Sequence, residues 1–189
     1  WEPMPDNNVE APAAVAASSG TVSLERAHFE NTGRYGVTSS VSSSVTLSEV
    51  VVRNSTETGL LLFRSDAQLD TVLVQDVVGS GIIGAGPNFA LQAFDVTVDG
   101  VTTSSQSGCA QTNSGGYGLV MLGGETMLDG FYLTNNQSAG LMLVNTIGNW
   151  LLPDFAQASP TIHAANGEVI GNGVGLNIQA PVDLDNDFD

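Results

Sequence analysis

Lysine is absent from the chain, and its four arginines face twenty acidic residues, for a formal charge of −16. A surface this acidic has nothing with which to gather phosphates, which argues against nucleic acid or an anionic membrane as partner. No run of about 18 apolar residues occurs, so the sequence holds no membrane-spanning helix. A single cysteine, Cys109, cannot build an internal disulfide framework or a cysteine zinc site. The sequence opens at Trp1 without the charged-then-apolar layout of a signal peptide, which reads as a mature or excised fragment. Aromatics are scarce too, at 6%. What is abundant is a 42% apolar fraction, enough for a core, together with 22 glycines and many serines and threonines. That balance predicts short strands and tight turns rather than helices.

The apolar residues recur. Six glycines open similar segments, at Gly36, Gly59, Gly81, Gly118, Gly140 and Gly175, with spacings of 23, 22, 37, 22 and 35 residues. The two long spacings equal one ordinary period plus an insertion, and a period near 22 marks a stacked solenoid. The segment before each glycine repeats as well. It reads Leu24-x-x-Ala27-x-Phe29-x-Asn31, Leu47-x-x-Val50-x-Val52-x-Asn54 and Leu69-x-x-Val72-x-Val74-x-Asp76. Leu91-x-x-Phe94-x-Val96 and Leu128-x-x-Phe131-x-Leu133-x-Asn135 follow, and Ala164-x-x-Gly167-x-Val169 is a degenerate last unit. Alternation within each unit has period 2, the spacing of a strand. Three short strands per repeat would close one coil, and coils would stack at about 4.8 Å. Asn31, Asn54, Asp76 and Asn135 would then lie above one another and bond along the stack, while the glycines would permit tight corners.

This unit, Leu-x-x-apolar-x-apolar-x-Asn followed by glycine and a second alternating strand, resembles the right-handed parallel β-helix repeats of the pectin-lyase-like superfamily. The resemblance covers about residues 12–180. It implies an all-β solenoid of about six coils with roughly 22 residues each. It leaves function open, because that superfamily includes lyases, hydrolases, esterases, tailspikes, adhesins and passive repeat domains. A left-handed β-helix would show a hexapeptide rhythm, which is absent. The expected organisation is an extension or linker over 1–11, a β-helix domain over 12–180 with insertions at 99–117 and 145–160, and an acidic tail over 181–189.

Strand alternation assigns outward positions on the post-glycine strands. They include Leu61, Phe63, Ile83, Val120, Leu122, Met142 and Val144, and the inward positions between them are apolar as well. A strand apolar on both faces is usually covered, and side by side these residues exceed the patch a soluble monomer normally shows. Two covers are open. One is an intramolecular lid from the 145–160 insertion, using Ile147, Trp150, Leu151, Leu152 and Phe155. The other is a protein interface, with another copy of the chain in an oligomer or filament, or with the rest of a longer parent.

Chemistry is sparser. Glu30 and Arg53 would be neighbours on adjacent coils, an arrangement that in lyase members of the superfamily supplies a base, and elsewhere is a plain surface ion pair. His28 and His163 share no motif with a serine or with Cys109, and Asp70 and Asp129 are expected to be separated by Gln92. No catalytic residue is assigned. Asp183, Asp185 and Asp187 have the alternate spacing that calcium favours, although Phe188 replaces the expected glycine, and a solvated acidic tail is the other reading. Thr97 and Thr134 would be isolated neighbours, too few for an ice-binding ladder.

The expectation is therefore a non-enzymatic, rigid module of a secreted or cell-surface bacterial protein, structural, adhesive or self-assembling through its apolar outer face. The alternatives are a polysaccharide lyase or glycoside hydrolase working between the two insertions, and a glycan-binding module in which Tyr117, Tyr132 or Trp150 stacks on sugars. No cofactor is expected beyond calcium at the aspartate tail.

Overall fold

A computed structural model describes residues 13–40, 43–103, 115–144 and 159–179, and there the chain is all strand, with no helix. In chain order the strands are β1 (Ala13–Ala17), β2 (Gly20–Glu25), β3 (His28–Glu30), β4 (Tyr35–Ser39) and β5 (Ser43–Arg53). Next come β6 (Thr58–Phe63), β7 (Asp66–Gln75), β8 (Ser80–Ala85), β9 (Ala90–Asp99) and β10 (Tyr117–Leu122). The last are β11 (Gly124–Thr134), β12 (Ala139–Val144), β13 (Pro160–Ala165), β14 (Glu168–Ile170) and β15 (Val174–Gln179).

These strands form two sheets, ordered β1-β4-β6-β8-β10-β12-β15 and β13-β11-β9-β7-β5-β2, with β3 paired to β5 and β14 to β11. Every strand pairing is parallel. The chain alternates between the sheets, so each pass adds one rung to both. Tyr35 lies opposite Thr58, Thr58 opposite Ser80, Ser80 opposite Tyr117, Tyr117 opposite Ala139 and Ala139 opposite Val174. Those offsets are the same 23, 22, 37, 22 and 35 residues that separate the glycines.

Left-handed residues mark the corners. Arg26, Glu49, Thr71, Asp95, Gly130 and Asn166 all have φ between 50° and 68°, one per rung of the second sheet, where they bend each long strand into two short ones. A second such column ends the same strands at Asn31, Asn54, Asp76, Gly100, Asn135 and Gly171. Asparagine, aspartate and glycine tolerate this region best, which explains the Asn signature of the repeat. Asn54 Nδ2 donates to Asn31 Oδ1 at 3.2 Å, as stacking predicts. Asn135 donates instead to Asp99 at 2.8 Å, because Gly100 occupies the intervening rung above Asp76.

One apolar core fills the space between the sheets. Leu47, Leu69 and Leu133 of the second sheet and Leu60, Leu62 and Leu143 of the first belong to it, all essentially without solvent contact. The repeating glycines meet this core in an unexpected way. Gly36, Gly59, Gly81, Gly118 and Gly140 are not among the positive-φ residues, so corner flexibility is not their role. A Cβ on Gly59 would run into Val74 Cγ1 and come within 2.7 Å of the Gly81 carbonyl oxygen, and Gly36 and Gly81 meet the same pair of obstacles. They are glycines because two strands approach too closely for any side chain.

The fourth repeat also sits two residues from where its sequence pattern puts it. Leu69 pairs with Ala93, Val72 with Val96 and Val74 with Val98, so the true unit is Ala93-x-x-Val96-x-Val98-x-Gly100. Phe94 is 41% exposed and outside the core. A slip of two preserves the alternation on either side of the corner and changes the face of Phe94 alone, so alternation does not detect it. Within the expected 99–117 insertion, Val101 is fully buried and Gly115 lies against Gly79, so stacked residues flank the extra chain.

Candidate functional site

The outer wall of the first sheet carries the clearest anomaly in the molecule. Thr38, Leu61, Ile83, Val120, Met142 and Asn177 form one outward column in strict register. Phe63, Ala85 and Leu122 form the next, and Val144 pairs with Gln179. Four successive rungs of this column are thus large and apolar, bounded by Thr38 on one side, with Ala16 beyond it, and by Asn177 on the other. On the second sheet the comparable column reads Ser23, Thr46, Gln68, Gln92, Met127 and His163, mostly polar, as expected of a wall facing water.

The wall positions are shielded to differing degrees. Val120 is 6% exposed, and Leu61, Phe63, Ile83, Leu122, Met142 and Val144 are half-buried. Ile83 and Val120 have large apolar neighbours one rung above and below, which accounts for part of their burial. The Arg64 guanidinium lies 5.3 Å from the centre of the Phe63 ring, placing a cation at the wall's border. The segment expected to cover the wall (Ile147, Trp150, Leu151, Leu152 and Phe155) lies outside the described residues. So do Cys109 and the aspartates Asp183, Asp185 and Asp187.

Polar chemistry is dispersed over other surfaces. Glu30 and Arg53 are opposite one another in register, yet they do not form the expected ion pair. The described ion pairs are Glu25–Arg26, and Arg34 Nε–Glu57 Oε1 at 2.6 Å. Arg34 also lies 5.4 Å from the Tyr35 ring centre. Its hydrogen bond holds the Glu57 carboxyl below the usual range, against the opposing effect of burial, while burial and Glu57 push the Tyr35 phenol up.

Asp99 is a second polar focus that the sequence pattern missed. It accepts from Thr134 Oγ1 at 2.7 Å, Asn135 Nδ2 at 2.8 Å and Gln75 Nε2 at 3.2 Å. Burial pushes its carboxyl up, but the three hydrogen bonds outweigh that and hold it below the usual range. The two-residue shift explains the omission. The outward column reads Glu30, Arg53, Gln75, Asp99, Thr134, so Thr97 is not the neighbour of Thr134.

The same shift places Phe94, not Gln92, between Asp70 and Asp129. His28 and His163 stand on strands at opposite ends of the second sheet. Among the described residues no group of three or more His, Cys, Asp or Glu is placed to hold a metal ion. Tyr132 is 44% exposed and Tyr117 half-buried, while Trp150 lies outside the described residues. No helix among the described residues is long and apolar enough to cross a membrane. No known protein family, curated protein or solved structure matches this chain.

Proposed function

We propose that the chain is a right-handed parallel β-helix of the pectin-lyase-like kind and a non-enzymatic, rigid module of a secreted or cell-surface bacterial protein. In this reading its role is structural, adhesive or self-assembling, and the apolar outer wall is the working surface. Strict alternation between two parallel sheets, two columns of left-handed corners and one continuous core support the coiled architecture. Right-handed winding follows from the steric preference of parallel crossovers. The observation that carries the functional reading is the register of Leu61, Ile83, Val120 and Met142, four stacked apolar residues on the outside of a sheet.

Sedimentation velocity over a concentration series tests it. The full chain is expected to associate, and Ile83→Lys combined with Met142→Lys is expected to weaken that association without loss of β circular dichroism. A wild-type chain that stays monomeric, or association indifferent to both substitutions, overturns the reading. So does release of product from a polysaccharide.

A further inference from the structure

Core columns that are closed through the middle of the stack lie open at its far end. Leu141 and Leu143 are 2% and 0% exposed, whereas Leu176 and Ile178, their partners one rung on, are both 37% exposed. Likewise Leu133 is 1% exposed and its neighbour Val169 36%. In the sheet orders β15 and β13 stand at the edge, with no strand paired beyond them among the described residues. An edge of this kind presents peptide N–H and C=O groups to any strand of matching direction.

The opposite end of the same stack offers such strands. Each interior column begins on β1, β2 or β3, where Val15, Leu24 and Phe29 pack only partly against the core. Continuing the register by one rung sets Val15 of a second copy over Leu176 and Ala17 over Ile178. It also sets Leu24 over Ala164 and Phe29 over Val169.

Two of those pairs oppose a large side chain to a small one, the alternation already used inside, where Gly84 lies beside Met121 and Ala93 between Leu69 and Leu128. Outside the core the same register brings His28 of the second copy over Glu168, a basic side chain against an acid. Since every strand runs parallel, a copy displaced along the stack presents its edges in the required direction.

We propose that this chain joins end to end with a second copy of itself, the β13–β15 end of one copy receiving the β1–β3 end of the next. The joint repeats the contact between internal rungs and is independent of the apolar outer wall. It is heterologous, because the two surfaces differ, so it propagates into linear chains rather than closing as a dimer.

Light scattering on the full chain tests this with two variants, Leu176→Lys to block one end and Val15→Lys to block the other. With the outer wall blocked throughout by Ile83→Lys and Met142→Lys, the chain is expected to increase in mass with concentration, and to remain monomeric when either end variant is added. An equimolar mixture of the two is expected to double in mass and stop, because only one pair of ends remains intact. Should either variant lose its β circular dichroism, hydrogen exchange on the wild-type chain replaces it. Amides of β1 and β15 are then expected to gain protection with concentration while those of β8 do not.

A mixture that stays monomeric, or exchange at β1 and β15 that ignores concentration, overturns the joint. Association lost in Ile83→Lys with Met142→Lys but kept in both end variants made with the wall unblocked overturns the joint while leaving the outer-wall reading intact.

Discussion

Asn172 Oδ1 receives two hydrogen bonds from Asn136, one from the backbone amide and one from the side-chain amide, both 2.8 Å long. Asn136 has no solvent exposure, and its own Oδ1 accepts from the Val101 amide at 3.2 Å. Asn172 Nδ2 in turn donates to the Leu133 carbonyl at 2.7 Å. These two residues hold the last rungs together from within, one position past the exposed asparagine column.

Asn172→Ala is expected to cost about 2–4 kcal/mol, because it strips acceptors from a buried residue as well as its own bond. Asn54→Gly, which keeps the corner conformation and removes only an exposed bond, is expected to change stability by under about 0.5 kcal/mol. Urea unfolding midpoints at constant slope measure both.

The close approach at Gly59 makes a second expectation. Gly59→Ala drives a methyl group into Val74 and the backbone of Gly81, neither of which can swing away. A loss of about 3 kcal/mol follows from overpacking of this kind. Gly20 has a φ of +114°, yet a Cβ there would meet nothing within 4 Å. Gly20→Ala is therefore expected to cost only the backbone strain, about 1 kcal/mol. Equal losses at the two positions, in thermal or urea unfolding, would refute the steric account of the repeating glycines.

Parallel, all-strand architecture was legible because its signals are local and repeated. Period-2 alternation sorts faces, and the recurring glycine fixes the rung length from Tyr35 through Val174. Two things escaped for definite reasons. The Gly86–Phe89 turn lengthens one rung, and a two-residue slip preserves alternation on either side of the corner, so Phe94 read as core while Val96 holds that place. Asn136 looked like one more polar turn residue. Only the fold shows that positions 77 and 101, both valine, share its column inside the wall. Chemistry stayed illegible for a different reason: Arg34 and Glu57 meet across a 23-residue step that no motif announces.

Acid titration separates the two perturbed carboxyls. Asp99 has a folded-state pKa below its ordinary 3.8, so its contribution to stability is complete above that value and disappears as pH falls through the lower one. Asp99→Asn is expected to flatten the decline in urea midpoint below pH 4. Glu57 shifts in the same direction through Arg34, but both side chains are largely exposed. Its share of the acid slope is expected to shrink in about 1 M salt, whereas the Asp99 share, held by neutral donors, persists. A slope unchanged in Asp99→Asn would remove the hydrogen-bond explanation.

The outward assignment of the apolar wall rests on parity, and two adjacent residues of β12 decide it. Leu143 points into the core with no exposure, while Met142 lies half-buried between Val120 and Asn177. A lysine at 143 buries an unpaired charge and is expected to abolish folding or cost more than about 4 kcal/mol. A lysine at 142 can extend its ammonium into water past the rung edges, so Met142→Lys is expected to cost about 1 kcal/mol or less. Chemical denaturation of the two variants measures the difference directly. If Met142→Lys unfolds the chain as readily as Leu143→Lys, both sides of β12 face apolar surroundings. The wall is then an interior surface rather than a place for a partner to dock.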